Sequence, residues 1–267
     1  SGETYVAYLF AHNDGDGGFG PSGDQDIIKC GSYTGNGSSS GVEVDLGFEP
    51  QWILVKSATQ SSTNWTITDV MRGWTVGNGQ NYIYPHTSAA EVSITTNLID
   101  PLPNGFKVFG TGSNFNTSGQ TYIYMAIRRG PLAPPESGTE VFAVGQQLNT
   151  SGSTPSYYSG FPVDMAMNRY TNGTEAGTSD RLRGAKDLGT TNPLAEYTNN
   201  VKTFDYMEGY YSPGAGANTS YYSWMWKRAP SFFDSVAFFG SGVAGRTVSH
   251  NLGVAPEMMW VKRRNST

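Results

Sequence analysis

The chain reads Leu46-Gly-Phe-Glu-Pro-Gln-Trp-Ile-Leu-Val-Lys56, and the same pattern returns as Leu252-Gly-Val-Ala-Pro-Glu-Met-Met-Trp-Val-Lys262. A more degenerate copy is Gly160-Phe-Pro-Val-Asp-Met-Ala-Met-Asn-Arg169. In each copy a turn set by glycine and proline precedes a run of largely apolar residues, which is typical of a β-strand. We call this run the opening strand of a repeat.

A second pattern closes the repeat. Ser118-Gly-Gln-Thr-Tyr-Ile-Tyr-Met-Ala-Ile-Arg-Arg-Gly-Pro131 is echoed by Ser1-Gly-Glu-Thr-Tyr-Val-Ala-Tyr-Leu-Phe10 and by Asn218-Thr-Ser-Tyr-Tyr-Ser-Trp-Met-Trp-Lys-Arg-Ala-Pro230. Between opening and closing strands, Asp69-Val-Met-Arg-Gly73 matches Asp180-Arg-Leu-Arg-Gly184, and Asn104-Gly-Phe-Lys-Val-Phe109 is loosely matched by Met207-Glu-Gly-Tyr-Tyr211. The order is constant, with a period of roughly 100 residues, so the sequence predicts tandem copies of one unit.

The repeat predicts four segments. Residues 1–28 hold the closing strand of a preceding unit plus a loop, 29–131 form a first complete unit, 132–230 form a second, degenerate unit, and 231–267 hold the opening strands of a third. A proline-rich stretch, residues 131–138, is the best boundary between units. We expect either a segment of a longer protein, which we favour, or a first strand that completes a unit opened at the C-terminus, within one chain or by strand addition from a neighbour.

Composition favours an all-β fold of tandem antiparallel β-sandwich units. The 267 residues include 34 glycines, 13% are aromatic, and only 15% are charged. Many short strands joined by small polar turns have this composition, and we find no helical period longer than a turn or two. The closing strands 122–127 and 221–226 are apolar almost throughout, which predicts burial on both faces or at an interface.

The net charge, the lack of long apolar runs and the cysteine content argue against several classes of protein. A net charge of −5 argues against a nucleic-acid partner, which needs a basic field over one face. No apolar run approaches the roughly 18 residues of a membrane span. A single cysteine, Cys30, excludes an internal disulfide, and we expect it to be a small buried hydrophobe, with an intermolecular thiol as the alternative.

With these patterns assembled, the chain resembles a repeated, functionally uncharacterised domain of tail fibres and related tail proteins of marine bacteriophages, especially cyanophages. The residues that carry the resemblance are 31–37, 45–56, 69–73, 104–106 and 119–131, with 2–10 and 250–259. The resemblance implies a jelly-roll or lectin-like β-sandwich, location on a virion appendage outside the cell, and a role in reaching or binding a host surface. It carries no catalytic residues, and the middle unit departs most, with Asn168-Arg169-Tyr170 at the end of its opening strand.

Candidate catalytic groups are few, so we expect a protein that is not an enzyme. The three histidines have no motif partner. Asp164 and Asp180 could form a glycosidase pair, but Asp180 belongs to the recurring Asp-x-x-Arg-Gly pattern, which predicts a local Asp–Arg bridge that orders a turn.

Two binding sites are candidates. Asn13, Asp14, Asp16, Asp24 and Asp26 lie in a glycine-rich loop and could ligate calcium, the one possible cofactor, although an ordinary Asp/Gly turn is the alternative. A second group of aromatic residues lies in or beside turns and could stack on host surface glycans, with core packing as the alternative. These residues are Trp74, Tyr82, Tyr84, Tyr157, Tyr158, Tyr210 and Tyr211.

Basic residues end three of the apolar strands: Arg128-Arg129, Lys227-Arg228 and Lys262-Arg263-Arg264. We interpret them as solvated strand ends that block edge pairing, with contact to acidic faces of other subunits as the alternative. The leading functional hypothesis is a structural and adhesive appendage module that self-associates. The alternatives are a non-viral extracellular filament subunit and a calcium-assisted carbohydrate-binding module.

Overall fold

A computed structural model describes residues 4–12, 18–20, 22–77, 79–130, 133–148, 154–171, 177–184, 186–189, 196–198, 202–213 and 221–264. The first nine strands are β1 Ile28–Thr34, β2 Val42–Asp45, β3 Pro50–Ser57, β4 Thr66–Asp69, β5 Asn81–Tyr82, β6 Val92–Ser93, β7 Ile99–Leu102, β8 Gly105–Val108 and β9 Thr121–Arg128. The others are β10 Phe142–Gln146, β11 Tyr157–Tyr158, β12 Met165–Tyr170, β13 Gly177–Asp180, β14 Lys186–Gly189, β15 Tyr197–Thr198, β16 Gly209–Tyr210 and β17 Tyr221–Trp226.

The all-β fold class is confirmed. Every strand pair in these ranges is antiparallel, and helical structure there is limited to one 3-10 turn, Gly138–Glu140. No helix among the described residues has the length and apolar character needed to cross a membrane. The jelly-roll or lectin-like form of the sandwich stays a prediction.

The first unit packs a four-stranded sheet, in the order β1-β9-β3-β4, against a three-stranded sheet, β2-β8-β7. Both sheets contribute to one core, as expected of a sandwich. Ile53 and Tyr122 come from the larger sheet, Phe106 and Ile99 from the smaller one, and Trp74 joins them from a loop. The Trp74 indole donates a hydrogen bond to the Ile99 carbonyl at 3.0 Å, which satisfies its buried N–H.

The second unit is built around a six-stranded sheet in the order β10-β17-β12-β13-β14-β15, with β11 and β16 as a separate pair. Its core is smaller and includes Tyr157, Phe161, Val163, Tyr210 and Met225. The rings of Tyr157 and Tyr210 stack with centroids 5.1 Å apart.

The two sheets share a topology that follows the repeat. In the first unit the closing strand β9 lies between β1 and the opening strand β3, and in the second unit the closing strand β17 lies between β10 and the opening strand β12. In both, the next strand beyond the opening strand ends in the aspartate of the Asp-x-x-Arg-Gly pattern, Asp69 or Asp180. Within the described ranges, every strand pair lies inside 28–128 or inside 142–226.

Three expectations differ from the structure. Residues 4–12, which hold the first copy of the closing pattern, and residues 231–264, which hold the third copy of the opening pattern, form no strand. The closing strand β9 is not buried on both faces: burial alternates along it, and Ile123 is 40% exposed. Cys30 is exposed, because it lies on the edge strand β1 at a position that faces away from the core.

Asp100 on β7 is a fully buried carboxylate in the first unit. It accepts hydrogen bonds from the Gly77 amide at 3.1 and 3.2 Å and from Asn97 Nδ2 at 2.9 Å. Burial raises the pKa of Asp100 to about 6, because desolvation disfavours the ion more than these bonds favour it. Since the pKa in the folded state is above its ordinary value, this group stabilises the fold at low pH, and that contribution is lost as the pH rises through about 6.

We therefore expect Asp100→Asn to raise the free energy of unfolding at pH 7, by an amount on the order of 1–3 kcal/mol, and to change it little at pH 4. The amide oxygen keeps the acceptor for Gly77, while the buried charge is removed. Urea unfolding at a series of pH values, followed by tryptophan fluorescence, measures this. Glu43→Gln, an exposed carboxylate on β2, is the matched control and should keep the wild-type pH dependence. Parallel profiles for Asp100→Asn and wild type from pH 4 to 7 would contradict the assignment.

Candidate functional site: the junction between the two units

The repeat places an acid beside an arginine in each unit. Glu49 and Asp164 directly precede the opening strands β3 and β12, and Arg129 and Arg228 follow the closing strands β9 and β17. Because opening and closing strands are antiparallel neighbours, the start of one lies beside the end of the other. The Arg129 amide donates to the Glu49 carbonyl at 2.9 Å, and the Arg228 amide donates to Asp164 Oδ2 at 2.7 Å.

Arg228 crosses from the second unit to the first. Its Nη1 lies 3.0 Å from Glu49 Oε1, and its Nε lies 3.6 Å from Asp164 Oδ1. Glu49 also faces Arg129 Nε at 3.5 Å. The side chains of Arg228 and Glu49 are only 1% and 2% exposed, so these charges meet in the interior of the protein.

Two further residues complete the group. Asp234, from the segment after β17, lies 3.3 Å from Arg129 Nη2 and 3.9 Å from Arg228 Nη1. Arg181 Nε lies 3.5 Å from Asp164 Oδ1. Three guanidinium groups thus face three carboxylates with no net charge. We call this set the junction cluster: Glu49, Arg129, Asp164, Arg181, Arg228 and Asp234.

Burial and the neighbouring charges shift the pKa values of the residues in the junction cluster. Burial lowers the pKa of Arg228, but the carboxylates of Glu49, Asp164 and Asp234 outweigh burial and leave it above its ordinary value. Burial raises the pKa of Asp164, yet the charges of Arg228, Arg129 and Arg181 leave it below its ordinary value. Burial raises the pKa of Glu49 above its ordinary value, and Arg228 and Arg129 oppose that rise. Burial lowers the pKa of Arg129 and of Arg181 below the ordinary value, so the raised pKa in the cluster belongs to Arg228, which has three carboxylates around it.

The two Asp-x-x-Arg-Gly loops form the other half of the junction. The Val76 amide donates to the Leu182 carbonyl at 2.7 Å, and Arg181 Nη1 lies 3.2 Å from the sulfur of Met71. Gly184 has φ +64°, and a Cβ there would lie 2.9 Å from Cγ2 of Thr75, so this loop needs glycine both for its conformation and for the close approach.

A cleft of about 610 Å³ opens between these loops. Five cations line it: Arg72, Arg181, Arg183, Lys186 and Lys202. Each has a carboxylate partner, respectively Asp69, Asp164, Asp180, Glu196 and Asp187. Asp205 also lines the cleft, so the wall is polar without an excess of positive charge, which favours hydrogen bonding to an uncharged ligand over capture of an anion.

The local bridge predicted for the Asp-x-x-Arg-Gly pattern is confirmed. Arg72 donates from its amide to Asp69 Oδ1 at 2.8 Å and from Nε to Oδ2 at 3.3 Å. Arg183 repeats this with Asp180, with an amide contact of 2.9 Å and a guanidinium contact to Oδ2. Asp164 and Asp180 are thus both bound to arginines. Burial raises the pKa of Asp164, but the charges of Arg228, Arg129 and Arg181 leave it below its ordinary value, whereas the general acid of a glycosidase pair needs a raised pKa.

The interpretation of the basic strand ends is wrong for Arg129 and Arg228. Both are buried in the junction cluster rather than solvated, because the antiparallel neighbour presents a carboxylate at that point. Arg128 is half-buried over the Phe48 ring, at 5.5 Å from its centroid. Arg264 pairs with Glu196 at 2.8 Å.

The aromatic candidates are divided by the structure. Trp74, Tyr82, Tyr157 and Tyr210 are buried in the two units, where protein side chains cover their rings, so the core-packing alternative describes these four. Tyr84 and Tyr211 are half-buried, and Tyr158 is 42% exposed. The structure brings none of the three exposed or half-buried rings into the lining of the cleft.

The calcium candidates are only partly described. Asn13, Asp14 and Asp16 lie outside the described residues, while Asp24 is exposed and Asp26 half-buried. In the described part of the chain, no group of three or more His, Cys, Asp or Glu side chains could hold a metal ion.

Glu49, Asp234 and Arg181 were missed as functional candidates. For Glu49 the sequence did contain a signal. An acid stands immediately before two of the three opening strands, at Glu49 and Asp164, and an arginine follows each of the two closing strands that end a complete unit. Because the opening and closing strands of a unit are neighbours in the sheet, the acid and the arginine of that unit lie side by side. Asp234 lies outside the repeated patterns and carried no such signal.

Part of the chain matches the model of a known family. Residues 1–131 match a domain of unknown function, DUF7483. The match ends just after β9, where the first unit ends. No curated protein and no solved structure matches the chain.

We expect Arg228→Met to destabilise the protein by about 3–5 kcal/mol, because it leaves the Glu49 and Asp164 carboxylates buried without their shared counter-charge. Urea unfolding should also separate into two transitions, since the main ionic tie between the units is lost. Lys227→Met, one residue earlier on the same strand end and half-buried, is the matched control and should change stability by less than about 1 kcal/mol. Equal midpoints for the two variants would contradict the role of the cluster.

Proposed function

We propose that this chain is a structural module of an extracellular appendage, in which successive β units are held in one fixed orientation. The observation that carries the proposal is the junction cluster, where Arg228 of the second unit is buried against Glu49 of the first. A charge removed from water is tolerated only when its partners are correctly placed, so this contact specifies one relative position of the units.

The other contacts of the junction support the same role. A backbone hydrogen bond, Val76 to Leu182, and the packing of Gly184 on Thr75 lie at the Asp-x-x-Arg-Gly loops, which adjoin the cluster at Arg181. The loop contacts therefore extend the contact between the units beyond the buried charges, and a broader contact resists rotation of one unit against the other better than a single ion pair does. A stiff series of units is useful for length and spacing, which is the task of a fibre.

The resemblance described above supports a viral tail fibre as that appendage, and hence a location on the virion. In this role the chain is not an enzyme. Repeated units also multiply weak contacts to a host surface, because linked sites bind with greater avidity than single ones.

An antibody raised against the purified chain tests the proposal. On virions of the phage whose genome encodes the chain, we expect immunogold labelling along tail appendages in electron micrographs. The matched control is the same antibody absorbed with the purified chain. Labelling of a cell-surface filament in place of virions would support the alternative filament role, and absence of label from any appendage would refute both.

A second candidate function is glycan recognition, favoured by the cleft between the two loops. Its volume of about 610 Å³ lies within the range of about 300–1,000 Å³ common for small-ligand sites. Ion-paired guanidinium groups and the neutral polar side chains of Thr75, Asn81 and Thr203 line it. Such a wall supplies donors and acceptors for sugar hydroxyls without requiring a charged ligand.

A glycan array, run with and without calcium, tests the second candidate. We expect binding of at least one neutral glycan by the wild type and a loss of about tenfold or more in Thr95→Trp, because the indole fills the cleft from an exposed position on its lining. Thr96→Trp, the exposed neighbour that does not line the cleft, should bind as the wild type does. Equal binding by both variants would place any glycan site elsewhere, and an array without hits would refute the function.

A further inference from the structure

Lys202 and Asp187 of the second unit form an ion pair that is withdrawn from water. Nζ of Lys202 lies 2.5 Å from Oδ1 of Asp187, and the two side chains are each 4% exposed. Lys186, the residue before Asp187, also pairs with a carboxylate, but its side chain is 32% exposed and lies 3.2 Å from Glu196. Solvent screens the Lys186 pair and is excluded from the Lys202 pair.

Antiparallel pairing places Asp187 beside Ser179. In the ladder between β13 and β14, Thr178 pairs with Leu188, so Ser179 and Asp187 lie opposite each other one step further along. The Ser179 hydroxyl donates a hydrogen bond to Oδ1 of Asp187, the same oxygen that contacts Lys202. Ser179 and Asp187 are 1% and 3% exposed, so water does not compete for this contact.

Lys202 reaches the pair from a separate part of the chain. The residue after it, Thr203, forms two backbone hydrogen bonds with Tyr211, at 2.9 and 3.0 Å. The next residue, Phe204, belongs to the core of the second unit and stacks on Tyr210 with ring centroids 5.3 Å apart. These contacts anchor the backbone beside Lys202, so its amine is held against a carboxylate that is itself fixed in a sheet.

Burial shifts this pair towards its neutral form. It lowers the pKa of Lys202, while the charge of Asp187 opposes that fall and the charge of Arg183 adds to it. Since the pKa is left below its ordinary value, the ammonium gives up its proton more readily than that of an exposed lysine. An unprotonated lysine amine is a nucleophile, and a carboxyl group lies at the other end of its hydrogen bond.

We propose that Lys202 and Asp187 condense into an isopeptide bond that closes the second unit covalently. The contact between Nζ and Oδ1 also brings Nζ close to Cγ, as a near-attack arrangement requires. After a proton passes from the ammonium to the carboxylate, Nζ attacks Cγ. The new N–C bond replaces one C–O bond, and the hydroxyl leaves with a proton from the amine as one molecule of water. No oxidant, reductant or further reactant is consumed.

Ser179 and the cleft meet two requirements of this condensation. As the amine adds, negative charge grows on the carboxyl oxygen, and the hydrogen bond from the Ser179 hydroxyl stabilises it there. Lys202 also lines the cleft between the two Asp-x-x-Arg-Gly loops, so the released water has a path to solvent.

The bond ties one edge of the six-stranded sheet. β14 and β15 lie at that edge and have only four and two residues. A link between positions 15 residues apart holds the edge even when its hydrogen bonds break, in the way a disulfide restricts the unfolded chain. With one cysteine the chain has no internal disulfide that could do the same. The inference goes beyond the structural role proposed above and does not rest on it.

The mass of the purified chain tests the inference. We expect an intact mass about 18 Da below that of the sequence, which is the loss of one water. Trypsin does not cleave after an acylated lysine, so residues 187–227 should appear as one peptide that carries the loss. Mild alkali distinguishes the amide from an aspartyl succinimide, which has the same mass but reopens to a free carboxylate. A chain of full mass would overturn the inference.

Two lysine variants assign the loss to this pair. Lys202→Arg keeps a positive charge opposite Asp187 but removes the amine, so we expect the full mass. Lys186→Arg, the matched control at the more exposed pair with Glu196, should keep the lower mass. An unchanged loss in Lys202→Arg would overturn the assignment. If that variant does not fold, fragment ions of the linked wild-type peptide identify the joined residues, and a link at any other pair refutes the inference equally.

A third variant tests the hydrogen bond to the carboxyl oxygen. Ser179→Ala removes the donor, and we expect the linked fraction, followed by intact mass at intervals after synthesis, to accumulate at least about tenfold more slowly. Thr178→Ala, the neighbour on the opposite face of β13, should link at the wild-type rate. Equal rates for the two variants would overturn the part assigned to Ser179. The immunogold result is independent of these masses, so absence of label from every appendage would refute the structural role and leave the isopeptide bond standing.

Discussion

The structure depends on the burial of Arg228 between two carboxylates that belong to different units. Moving one such ion into the protein interior costs several kcal/mol, and the cost is offset only where counter-charges and hydrogen bonds meet it with good geometry. Glu49 and Asp164 supply the counter-charges, and Asp234 adds a third from the segment that follows β17. The two units and the segment beyond them are thus linked through one side chain.

This arrangement follows from the antiparallel pairing of opening and closing strands. Each complete unit presents an acid where its opening strand begins and an arginine where its closing strand ends, so two units placed side by side offer two acids and two arginines to one interior. The loops after β4 and β13 then meet across the cleft. A repeated sequence can therefore specify the contact between its own units. The acid that begins one strand and the arginine that ends its neighbour are present in every complete unit.

Much of the sheet structure could be predicted from the sequence, because opening and closing strands carry both a turn signal and an apolar run. The Asp–Arg turn was predictable for the same reason, since both partners lie three residues apart. The burial of Arg129 and Arg228 was not, because a basic pair at a strand end looks the same whether solvent or a carboxylate from another unit faces it. The burial of Trp74 could not be predicted for a similar reason. Trp74 lies in a loop, where the sequence suggests an exposed ring, but the two sheets of the first unit close over that loop and make Trp74 a core residue.

The third copy of the pattern differs from the first two at one decisive position. Ala255 stands where Glu49 and Asp164 stand in the others. A unit completed on this copy has no carboxylate at the start of its opening strand, so an arginine buried there would lack its counter-charge. In the appendage that we propose, a joint built on this copy would therefore be weaker than the joint around Arg228. Under tension along such a fibre, the joint without the ionic tie would yield first and relieve the load on the other.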